Sequence, residues 1–214
     1  MNWFNEPSRW SEDEGSIVAF ADAQTDFWRL TDYGFIRDNA HIYGESIATD
    51  FDLSVRVKAE YAQQYDQAGA AVRVDESHWI KTGVEMFEGT LRFSAVVTID
   101  HSNWVVADLP QSFNYLNLKL ARRRNAIHIS YSVDEEELKF VSVAYLEPDV
   151  SAFVGVMCAA PQGQGFESRF SDLHLARCLS SADHRRHALR FSDEDRVSNS
   201  RMPAESWRPR WNCL

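Results

Sequence analysis

The 214 residues carry 22 Lys and Arg against 32 Asp and Glu, a formal net charge of −10. A chain of this length builds one large domain or two small ones, and it can bury a core without disulfide or metal staples. Hydrophobic residues at 44% exclude wholesale disorder, and the acidic balance disfavours nucleic acid and anionic membranes as partners, since both select a cationic face.

The first fifteen residues hold no apolar run and no small-residue cleavage site, so no secretory signal is expected. No stretch approaches the ~18 apolar residues of a membrane-spanning helix. Strands are expected near 16–20, 27–31 and 41–47. From Phe51 to Ala59 the odd positions are apolar and the even ones polar, the pattern of a half-buried strand. A strand near 67–74 comes next. Trp79–Phe87 and Leu91–Ile99 then flank Glu88-Gly89, a hairpin turn. A strand near 103–107 precedes Leu116, Leu118 and Leu120, which alternate with Asn117 and Lys119. Arg122-Arg123-Arg124 reads as a hairpin tip held in solvent, and Ile127, Ile129 and Tyr131 alternate beyond it. Asp134–Glu137 reads as a solvated turn before a strand near 138–146. Ala152–Cys158 is apolar throughout, a strand buried on both faces, and the last strand is expected near 165–175. No amphipathic helix of about 12 residues appears before residue 178. About a dozen short strands at this spacing imply an all-β sandwich or a closed barrel.

After this the alternation stops. Ser180–Leu214 holds seven Arg against five Asp and Glu, a net of +2, which leaves −12 on the body. The expected organisation is therefore one domain over 1–177 and an irregular or disordered extension over 178–214. Cys158, Cys178 and Cys213 are widely spaced and lack C-x-x-C, so neither a disulfide framework nor a zinc site is expected, and a reducing, cytoplasmic setting is the simplest reading.

One strand pair stands out as a candidate site. A strand over 79–85 aligns Trp79, Lys81, Gly83 and Glu85 on one face. The preceding strand aligns Gln67, Gly69, Ala71 and Arg73. An aromatic plate, a cation, a gap and an anion suit a sugar, whose apolar face lies on the ring while charged groups bind its hydroxyls. If the two strands pair, Gln67, Arg73, Trp79, Lys81 and Glu85 form one ligand-binding patch on the concave sheet. The same charges also suit a structural ion-pair network across a sheet face, and both readings stay open. The aromatic segment Phe27–Tyr33 is read as core and loop anchoring ahead of a groove rim, and Trp3, Trp10 and Trp104 as packing residues.

Other chemistries find little support. No three acids alternate along one strand, and Glu85 and Glu88 point to different sides, so no catalytic residues are assigned. The seven His show no metal-binding spacing. Asp50 and Asp52 would contribute at most part of a calcium site. There is no G-x-S-x-G elbow and no Gly-rich phosphate loop, so no cofactor is expected.

Four phrases carry a resemblance: Asp26–Phe35, Tyr65–Arg73, Trp79–Glu85 and Gly163–Phe170. Together they resemble a regulation-of-enolase-like family of unassigned function, with the concanavalin A-like lectin/glucanase fold. The resemblance implies a two-sheet antiparallel jelly roll over about residues 1–177. It departs at Ser132–Leu138, where the family's Ser-x-Asp-Gly turn is replaced by a more acidic stretch. Since this fold carries lectins, glycosidases and inert modules alike, function rests on the site. The expectation is a non-catalytic module that recognises a carbohydrate or other small polar ligand. The alternative is a regulatory module that contacts a metabolic enzyme, and a glycoside hydrolase is the third reading.

Overall fold

The alternation over 51–59 becomes a ten-residue strand whose apolar positions Phe51, Leu53, Val55 and Val57 are all buried. The same rule builds the rest of the molecule, a computed structural model that describes residues 1–178. The predicted extension lies, from residue 179 on, outside the described residues. The strands in chain order are β1 (Asn2–Phe4), β2 (Trp10–Asp13), β3 (Ser16–Ala21), β4 (Phe27–Arg29), β5 (Ile36–Asp38) and β6 (His41–Ile47). They continue with β7 (Asp50–Ala59), β8 (Gln67–Arg73), β9 (His78–Phe87), β10 (Thr90–Ile99) and β11 (His101–Asp108). The last five are β12 (Leu116–Arg123), β13 (Ala126–Val133), β14 (Lys139–Tyr145), β15 (Ala152–Ala159) and β16 (Phe166–Cys178).

Fourteen of them form two seven-stranded antiparallel sheets. The first runs β1-β6-β15-β8-β9-β10-β11 and the second β14-β13-β12-β7-β16-β3-β2, while β4 and β5 make a separate hairpin. Both sheets are open, so the fold is a sandwich of the concanavalin A-like jelly-roll kind, not a barrel. Its core lies between the sheets, where Leu53, Val55 and Val57 of β7 meet Ala68, Ala70 and Val72 of β8 in one buried cluster. Phe93 of β10 and Tyr131 of β13 stack across this gap with ring centroids 4.3 Å apart. Glu88 and Gly89 both take positive φ, 51° and 75°, which is the two-residue turn the sequence signals.

Some sequence expectations fail. β1, β2 and β5 are not among the expected strands, being too short to show a period. Arg122 is not held in solvent: it is 1% exposed, and its guanidinium donates to the carbonyls of Val150 at 2.7 Å and Glu147 at 3.1 Å. Its position on β12 points it inward, where it clasps the 147–150 segment. Nη2 of Arg123 donates to both Asp52 carboxylate oxygens at 2.8 and 3.0 Å, and Asp50 accepts the Arg124 N–H, so both carboxylates considered for calcium serve this hairpin. Cys158 is a buried free thiol. Among the described residues no helix is long and apolar enough to cross a membrane.

Candidate functional site

β8 and β9 do pair, in the register Gln67↔Glu85, Gly69↔Gly83, Ala71↔Lys81 and Arg73↔Trp79. These side chains leave the first sheet on the face turned away from the second. That face is only partly open, because the β4–β5 hairpin lies across it. Phe27 covers Trp79 with ring centroids 5.4 Å apart, and Ile42, Ala71, Val96 and Met157 complete a second buried cluster beneath the hairpin. Arg73 forks onto Asp38 of β5 at 3.0 and 2.5 Å, under the ring of Phe4 at 4.2 Å. This half of the face is filled.

The other half holds a cavity of about 230 Å³. Its floor is charged. Oδ1 of Asp26 accepts from Lys81 Nζ at 2.8 Å, Gln67 Nε2 at 3.2 Å and the Phe27 N–H at 2.7 Å. Glu85, 4% exposed, accepts from the Trp104 indole N–H at 3.2 Å, and Ser94 also hydrogen-bonds it. Burial pushes the Glu85 carboxyl above its ordinary range, against the opposing pull of Lys81. The walls are aromatic: Trp28, Tyr33, Phe35, Tyr65 and Trp104. Trp28 and Trp104 meet edge to face with centroids 6.3 Å apart, and the hydroxyls of Tyr33 and Tyr65 are 3.3 Å apart. Arg37, Gln24 and Gln162 supply further polar groups to the lining.

Gly69 and Gly83, facing each other beside Lys81 and Glu85, are required by close approach. A Cβ on Gly69 would strike the Thr82 carbonyl, and one on Gly83 the Ala68 carbonyl.

Of the five residues singled out by sequence, the structure brings Gln67, Lys81 and Glu85 together around Asp26. It sets Arg73 and Trp79 at the next outward-facing pair beyond Ala71 and Lys81, in an ion pair and under a phenyl ring, and of the five only Lys81 and Glu85 line the cavity. Sequence reasoning missed Asp26, because the partner of Lys81 lies 55 residues earlier, and it read Trp104 only as packing. Phe27–Tyr33 serves both alternatives: Phe27 is core, while Trp28 and Tyr33 wall the cavity.

Among known proteins, this chain is 33% identical over 182 residues to Regulation of enolase protein 1 of Saccharomyces cerevisiae, covering 85% of this chain and 92% of that one. A crystal structure of a functionally unknown protein from Saccharomyces cerevisiae superposes with a TM-score of 0.79 at 32% identity, covering 84% of this chain and 97% of that one. The carbohydrate-binding module CBM66 from Bacillus subtilis shares the fold, with a TM-score of 0.52 at 13% identity over 82% of this chain and 95% of that one. The family model described as "Protein of unknown function (DUF1349)" matches residues 3–178, and the chain belongs to that family.

Proposed function

We propose that this protein is a non-catalytic binding module that takes a carbohydrate or other small polar ligand into the cavity beside the β4–β5 hairpin. The observation that carries this reading is an open cavity in which aromatic walls surround buried, hydrogen-bonding charges. Rings cover the apolar face of a small ligand, while a few fixed polar groups orient it. The likeness of fold to a carbohydrate-binding module agrees with this reading but does not carry it. Glu85 and Lys81 remain the proposed ligand-side residues, joined by Asp26 and Trp104, and Gln67 stands behind them as a donor to Asp26. Arg73 and Trp79 support the hairpin that shapes the site. A thermal-shift screen of sugars tests the proposal: a sugar site gives a dose-dependent rise in melting temperature that Trp104→Ala abolishes, and a flat response across the screen refutes it.

A second reading rests on the relative named Regulation of enolase protein 1. In it the module contacts a metabolic enzyme and regulates it. Sedimentation of this protein with purified enolase tests this reading: a joint boundary supports it, and independent boundaries count against it.

A further inference from the structure

The cavity constrains what its ligand can be. Four charged side chains line it, Asp26 and Glu85 against Lys81 and Arg37, and their formal charges cancel. An anionic ligand would add a charge beside two carboxyl groups in a desolvated site. A cationic one would meet the ammonium of Lys81, itself nearly buried. The polar atoms are also paired in kind. The three hydrogen bonds to the Asp26 carboxylate all land on Oδ1, whereas Oδ2 carries none among the described residues and is not sealed in the interior. The Lys81 ammonium has three N–H donors and uses one on Asp26. A free acceptor and free donors thus stand on the two partners of one ion pair. A hydroxyl both donates and accepts, so two adjacent hydroxyls match this arrangement: one donates to Asp26 Oδ2 and its neighbour accepts from Lys81 Nζ. Trp28 and Trp104 then face the C–H side of the ligand.

We propose that the cavity selects a neutral cyclic polyol by clamping a vicinal diol between Asp26 and Lys81. This rests on the binding-module reading above and adds the ligand's charge and its contact pattern.

The test titrates the full-length chain with D-glucose, D-xylose and myo-inositol as neutral probes, D-glucuronate as an anionic probe and D-glucosamine as a cationic one, reading amide and indole NMR signals. The expected result is that a neutral probe shifts the Trp28 and Trp104 indole signals, that both charged probes bind at least about tenfold more weakly, and that Lys81→Met weakens the neutral probe at least about tenfold. Glucuronate or glucosamine binding in the cavity as tightly as the neutral probes overturns the inference and leaves the binding-module reading standing. So does a folded Lys81→Met that keeps full affinity. If no probe moves any cavity signal, the binding-module reading falls with the inference. Should Lys81→Met not fold, the comparison of charged and neutral probes on the wild-type chain decides alone.

Discussion

Lys81 Nζ on β9 stands 2.8 Å from Oδ1 of Asp26, the residue that leads into the β4–β5 hairpin. Their side chains are 5% and 11% exposed. This one pair pins the hairpin to the sheet and places the charges at the cavity floor. Removing one member of a buried pair leaves the other charge uncompensated. Asp26→Ala therefore lowers the unfolding free energy in urea by about 3–5 kcal/mol, and Asp26→Ala with Lys81→Met together lose less than the sum of the two single changes. Additive losses would show that the pair is not coupled.

Arg73 and Asp38 form a second charged anchor of the hairpin, with side chains 14% and 21% exposed. Arg73→Gln costs about 1–3 kcal/mol in the same urea experiment and leaves sugar affinity within about twofold of wild type. A large loss of affinity at unchanged stability would return Arg73 to the binding patch.

Gly83→Ala drives a Cβ into the Ala68 carbonyl, in a strand hydrogen-bonded on both sides. The strands must separate to admit it, at a cost of about 1–3 kcal/mol. A melting temperature equal to wild type would contradict this close approach.

Two groups oppose each other in acid. His41 accepts the Asp22 N–H on Nε2 at 3.1 Å and contacts the Asn5 carbonyl through Nδ1 at 2.5 Å, so the folded chain needs the neutral ring. Burial lowers its pKa from the ordinary 6.5, hence stability is full above that value and falls as acid protonates the unfolded chain. Glu85 is raised by burial, so the folded state holds its proton longer than the unfolded state does, and stability rises as pH falls through the raised value toward 4.5. Glu85→Gln removes the second effect. Between about pH 4.5 and 6.5 its stability, followed by urea unfolding, falls more steeply with acid than that of wild type. An unchanged slope would mean that Glu85 titrates alike in both states.

Much of the scaffold is legible in the sequence because a period of two shows wherever one sheet face is buried, as over 51–59 and 116–120. β1, β2 and β5 are three or four residues long and carry no period. The β8–β9 face was readable because both strands keep strict parity. What parity does not reveal is what lies over the face. The hairpin arrives from another part of the chain, takes Arg73 through Asp38, covers Trp79 with Phe27 and delivers Asp26 to Lys81. Arg122 misled for a similar reason: three arginines at a tip look solvated until the 147–150 carbonyls close over one of them.

The most direct measurement is an indole N–H NMR titration with neutral sugars, which reads all seven Trp at once. A sugar site in this cavity predicts saturable shifts at Trp28 and Trp104, the latter through its hydrogen bonds to Glu85 and Ser94, while buried Trp79 stays still. Shifts confined to Trp3 and Trp10, or no shift at any indole, would contradict it.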